Sequence, residues 1–188
     1  MASADWCLPA STEIGGREYR LNTDFRDILE IISYLENERD KQAATLIALA
    51  LFYEEFEEMP PDDWTEAAQY LEGFIGCFEP EDGRPAPRSI DWEQDYNMIS
   101  ADVNKVAGCE VRMLEYLHWF TFIGYFMSIG EGQLSTVVSI RHKLNQHKQL
   151  EKWELDFYRR NKKKVDIKKR YTPEEQAEID RLNKRLGG

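Results

Sequence analysis

No apolar run in this sequence is long enough to cross a bilayer. The best candidate, between Glu115 and Glu131, falls short of the ~20 residues required and contains a histidine. Cysteine is nearly as scarce. Cys7, Cys77 and Cys109 lie far apart with no C-x-x-C pair, which argues for reduced thiols rather than a disulfide frame or a zinc site. No basic segment followed by an apolar stretch opens the chain, so a secretory signal is not expected. Asp5 and Trp6 before Cys7 argue against a lipid-attachment signal. The expected compartment is cytoplasmic.

Catalytic signatures are missing as well. There is no G-x-S-x-G and no H-E-x-x-H, and neither Gly15-Gly16 nor Glu131-Gly132 leads into a phosphate loop. Asp91, Glu93 and Asp95 alternate like the start of a calcium loop, but the glycine at the sixth position and the glutamate at the twelfth are absent. They read instead as acids favoured by the dipole of a helix start. Only three histidines occur. His118 has Glu115 one turn back, a spacing that could position an imidazole for base catalysis. The preferred reading is a hydrogen-bonded histidine at the edge of an aromatic core. His142 and His147 fall on a polar face. We therefore expect no enzyme, no cofactor and no metal.

What is present is charge and aromatic residues. The net charge of −11 conceals an asymmetry: residues 1–140 carry 9 Lys/Arg against 27 Asp/Glu, and residues 141–188 carry 15 against 8. An acidic body repels nucleic acid at long range, while a basic end attracts an acidic partner. At 188 residues the chain fits one domain with an appendage.

Residues 113–128, MLEYLHWFTFIGYFMS, have no polar side on a 3.6-residue period. A helix apolar all round is buried all round, so this stretch is expected to be the central helix, with other helices packed about it. Leu117, His118, Trp119, Phe120 and Ile123 are its candidate core residues. Gly124 would then mark a close crossing of a neighbouring backbone.

Around that centre, Gly15-Gly16 between two short alternating runs predicts a β-hairpin, with Tyr19 and Leu21 facing the core. Asn22 or Thr23 can cap a first helix bearing Phe25, Ile28, Leu29, Ile32 and Leu35. A second helix is expected over residues 42–56, running into the Glu54–Glu58 acid cluster and stopping at Pro60-Pro61. Four carboxylates at a helix C-terminus oppose the dipole, so the cluster is either a solvated end or a partner contact.

Residues 62–63 start a third helix carrying Trp64, Ala67, Ala68, Leu71, Phe74, Ile75 and Phe78. The Pro- and Gly-rich stretch over residues 79–89 reads as loop, a surface excursion rather than a division between subdomains. A fourth helix carries Trp92, Tyr96, Ile99, Val103 and Val106 and is closed by Gly108. Val137, Ile140 and Leu144 mark a sixth helix; Leu150, Trp153 and Phe157 mark the next, which turns basic. Thr172-Pro173-Glu174-Glu175 is a capping box before a helix with only Ile179, Leu182 and Leu186 apolar. The predicted fold is mainly α: a multi-helix bundle around one buried helix, with an N-terminal hairpin or arm (1–22), a core (23–158), and a basic linker with C-terminal helix (159–188).

The basic run supplies the candidate partner-binding residues Arg159, Arg160, Lys162, Lys163, Lys164, Lys168, Lys169 and Arg170. Its simplest reading is a solvated helix end whose cations suit the negative pole. The functional readings are a nucleic-acid footprint, with Phe157 and Tyr158 stacking on bases, or contact with an acidic protein.

Four stretches, taken in order, resemble the phage gene-product-fifteen family: IGGREYRLNTDFRDIL from Ile14, EYLHWFTFIGYF from Glu115, VVSIRHKL from Val137 and FYRRNKKK from Phe157. The likeness spans about residues 14–164, and the helix after Tyr171 is an extension to it. Members are encoded beside the tape measure gene of long-tailed phages and prophages. The resemblance implies a tail assembly chaperone in the host cytoplasm that holds the tape measure protein soluble. It implies a homo-oligomer and contacts with other tail assembly proteins; from the residues themselves no membrane partner is expected, and a nucleic-acid-binding phage regulator acting through residues 159–170 is the less favoured alternative. The rival implication is a structural component of the tail.

Overall fold

The computed structural model describes residues 7–79, 87–168, 177–178, 181–182 and 184–185. The Thr172–Glu175 capping box, Lys169, Arg170, and most of the loop expected over residues 79–89 lie outside them. The described chain is mainly helical, with one two-stranded antiparallel sheet. Its elements are β1 (Ser11–Ile14), β2 (Arg17–Arg20), α1 (Phe25–Asn37), α2 (Lys41–Phe52), α3 (Trp64–Ile75), α4 (Tyr96–Ala107), α5 (Trp119–Met127), α6 (Gln133–Asn145) and α7 (Lys152–Val165).

The hairpin turns at Gly15 (φ +57°) and Gly16 (φ +80°), with Ile14 paired to Arg17. Two successive positive φ angles are what the right-handed twist of a two-residue hairpin loop demands, and glycine adopts them without steric penalty. A Cβ on Gly15 would also collide with the Asp63 carboxylate. Tyr19 and Leu21 are buried, as their alternation predicts. A lone hairpin is marginal in water; this one is strapped to the body. Asn22 N–H donates to the Phe52 carbonyl at 2.8 Å and Glu54 N–H to the Arg20 carbonyl at 3.1 Å.

The acid cluster takes part in this strap. The α2 helix stops at Phe52, earlier than its composition suggests, because the Leu21–Tyr53 bridge draws the next residues out of the helix. Arg20 then pairs with Glu54 (2.9 Å) and Glu55 (2.7 Å), and Arg17 pairs with Glu58. The carboxylates meet the hairpin's arginines, not the end of a helix dipole. Exposed pairs of this kind fix position more than they stabilise.

Asp24 caps α1, accepting from Arg26 N–H at 3.0 Å; Asn22 and Thr23 are engaged elsewhere, with Leu51 and Tyr116. The second Asp24 oxygen accepts Leu117 N–H at 3.0 Å across 93 residues of chain. This contact corrects the expected central helix. Residues 113–118 do not extend it: Phe25 N–H donates to the Leu117 carbonyl (2.9 Å), Trp119 N–H to the Thr23 carbonyl (2.8 Å), and the Arg26 guanidinium to the carbonyls of Leu114 and Glu115. Those partners hold residues 114–118 out of the helix, Met113 closes a short 3-10 turn that begins at Val111, and α5 starts only at Trp119.

Of the expected core residues, Leu117, His118 and Trp119 are buried, whereas Phe120 and Ile123 are half-buried. Met113 is 82% exposed and Met127 75%, so the segment is not covered on all sides. The space beside Gly124 is open, with no neighbouring backbone crossing there. What α5 does bury is aromatic. Phe122 stacks on Phe25 with centroids 4.6 Å apart, and Trp119 sits against Trp92 and Phe122.

Burial raises the pKa of Asp24. The Arg26 guanidinium and the N–H groups of Leu117 and Arg26 outweigh that, so it lies below the usual carboxylate value. A depressed folded-state pKa contributes stability that is complete above the unfolded value of ~4 and is lost as pH falls through the folded one. We expect Tm to fall between about pH 5 and 3 by more in the wild type than in Asp24→Asn. Thermal melts across that range check this.

Candidate partner-binding surface

The basic run occupies the last turns of α7 and the residues after it. That helix begins where Glu151 N–H donates to the Glu154 carboxylate at 2.8 Å, and Glu154 is itself buried against the Lys143 ammonium at 2.6 Å. It bends at Asn161, whose side-chain amide donates to the Phe157 carbonyl. Its boundaries, residues 152–165, run continuously through Arg159.

The C-terminal carbonyls of a helix normally lack partners. Here Arg141 of α6 supplies them. Its guanidinium, 3% exposed, donates to the carbonyls of Val165 (2.6 Å), Lys164 (2.7 Å) and Ser89 (3.0 Å), and bidentately to Asp95 at 2.5 and 2.9 Å. All five guanidinium hydrogens are thereby used. Gln94 adds a second clamp, donating to the Asp166 carbonyl and accepting Lys168 N–H, each at 2.9 Å. Asp95 was read from sequence only as an early-turn acid; it is fully buried. The signal for Arg141 was its place on the apolar face of Val137, Ile140 and Leu144.

With the backbone so pinned, the side chains of Arg159, Arg160, Lys162, Lys163, Lys164 and Lys168 lie in solvent. Arg159 approaches Asp156 at 4.0 Å. Tyr158 OH donates to Asp166 at 2.9 Å, and Phe157 packs against the core, so neither ring is free to stack on a base.

His118 caps α5. Its Nδ1 accepts Phe120 N–H at 3.0 Å and its Nε2 lies 3.1 Å from the Pro9 carbonyl, to which the N–H donates in this tautomer. Both ring nitrogens are engaged without the Glu115 carboxylate, so the geometry for base catalysis is not formed. Among the described residues no three His, Cys, Asp or Glu side chains gather as a metal site, and no helix is long and apolar enough to cross a membrane.

Two of the apolar features on the surface bear on binding, beside singly exposed side chains such as Phe78 and Trp153. One is the exposed set Met113, Tyr116 and Met127, carried by the segment that wraps α1 and enters α5. The other is a groove between α2 and α3, a cavity of about 650 Å³ floored by Leu46, Leu49, Trp64 and Ala68.

The four stretches singled out in the sequence meet in two pairs. TDFR locks onto EYLHW through Asp24, which accepts from Leu117, and Arg26, which donates to the Glu115 carbonyl, and the arginine of VVSIRHKL locks the end of the helix that begins at Lys152 and contains FYRR. The model of the bacteriophage Gp15 protein family matches residues 5–167. The chain belongs to that family. No curated protein and no solved structure matches it. The Gp15 match takes in the hairpin and all seven helices α1–α7, and stops two residues beyond α7. Residues 168–188 lie outside it.

Proposed function

We propose that this member of a phage protein family is a non-enzymatic tail assembly chaperone. It binds the tape measure protein in the host cytoplasm and keeps it soluble until tail subunits polymerise around it. The observation that carries this reading is the exposure of Met113, Tyr116 and Met127 at 82%, 55% and 75% on a well-anchored segment. A client can cover such side chains, and methionine adapts to clients of varied shape. A long helical client presents an apolar stripe that such side chains cover, at ~25 cal/mol per Å² removed from water. The acidic body keeps loaded complexes apart.

Co-expression with the tape measure protein tests the proposal. The client is expected to stay soluble and to co-purify; with both proteins folded and no association, the reading fails. Mass spectrometry of purified particles separates a chaperone, absent or scarce, from a structural tail component present in fixed copy number.

A further inference from the structure

We propose that the groove between α2 and α3 is a self-assembly site, filled by the C-terminal segment, residues 174–186, of a second copy of this chain. The inference goes beyond the client-binding reading and does not depend on it. The 650 Å³ cavity adjoins a second of about 440 Å³, and both are lined by Thr45, Ala68 and Glu72, so they form one continuous trough. The small side chain of Ala68, where the two cavities join, leaves room for a third helix, and Leu46 in the groove stands 37% exposed.

The occupant is argued from the chain itself. Spaced three and four residues apart, Ile179, Leu182 and Leu186 have the sequence pattern of a single apolar stripe too narrow to bury itself. The described residues 177–178, 181–182 and 184–185 are helical, and Leu182 is 48% exposed, so its own body leaves the stripe's centre uncovered.

Charge points the same way. The trough is lined by the carboxylates of Glu36 and Glu72 against one lysine, Lys41. The segment follows the eight cations of residues 159–170; its own four acids end at Asp180 and its three cations, Arg181, Lys184 and Arg185, come after it, so its C-terminal half is the basic one. Exposed Glu72 on the rim is placed to meet them. The residues between the clamped Lys168 and the helical Ala177 span up to ~30 Å when extended, enough to reach a neighbour. One copy's tail in the next copy's groove is a heterologous contact. It repeats without closing unless the rotation happens to form a ring.

Sedimentation velocity on the full chain at low salt tests the contact. The wild type is expected to form concentration-dependent oligomers that shrink as salt is raised. Leu182→Asp and Leu46→Asp, both at exposed positions, should each weaken association by at least about tenfold while melting at the wild-type temperature. Glu72→Lys is a second groove variant that acts through charge alone and is expected to weaken association in low salt. Mixing Leu182→Asp with Leu46→Asp leaves one intact tail and one intact groove, so the mixture should form dimers and nothing larger. A monomeric wild type, an unchanged mass in either leucine variant, or a mixture that stays monomeric would overturn the proposal. So would groove variants that lose only the tape measure protein, which would make the trough a client site.

Discussion

Arg141→Met is expected to destabilise the protein by about 3–5 kcal/mol, because it removes one partner of a buried ion pair and leaves the other charge behind. Asp95 is fully buried and would retain only the Asp91 N–H among the hydrogen bonds described here. The carbonyls of Val165, Lys164 and Ser89 would lose their donor at the same time, adding their own desolvation penalty. Against a typical total of ~5–15 kcal/mol, such a loss is large. Arg141→Lys keeps the charge but cannot reproduce the planar fork, so it should rescue only part. Asp95→Ala combined with Arg141→Met should cost less than the two single losses added together. Urea denaturation measures all four; an Arg141→Met effect below ~1 kcal/mol would show that the pair does not hold α4, α6 and the end of α7 together.

Trp119→Ala carries the second large effect, about 3–5 kcal/mol. The indole is 1% exposed and stacks on Phe122 at 5.7 Å. Its Nε1–H donates to the Ile75 carbonyl at 3.0 Å, tying α5 to the C-terminal end of α3. Truncation opens a cavity and orphans that carbonyl together. Trp119→Phe should lose less, since it retains ring contact but not the donor. The readouts are the urea midpoint and the near-ultraviolet circular dichroism of the aromatic cluster.

Local chemistry was legible in the sequence; long-range partners were not. Gly15-Gly16 announced the hairpin because two adjacent positive φ angles leave few other residue choices. Gly108, at φ +71°, closed α4 as expected for the same reason. The third helix was visible in its spacing, but its end was misplaced. Cys77 and Phe78 take positive φ without being glycine, and Phe78 N–H folds back to the Gly73 carbonyl at 2.7 Å.

The larger miss was residues 113–118. Periodicity says which side chains are apolar, not which backbone groups bond to a distant strand. The carboxylate of Asp24 and the chain beside it, some ninety residues earlier, keep that segment out of the helix. The basic run was plain from composition; the Arg141 and Gln94 clamps that fix its backbone were not, since their partners come from two distant stretches, residues 89–95 and 164–168.

The most direct test of the functional account is the affinity of a tape measure fragment for the wild type and for a Met113→Asp/Met127→Asp double variant, measured by titration calorimetry. Both methionines are exposed, so the variant should keep the wild-type Tm. If they grip the client, binding should weaken by at least about tenfold, the loss expected when two buried methionine contacts are removed. Undiminished affinity in a folded double variant would contradict the claim that this surface holds the client.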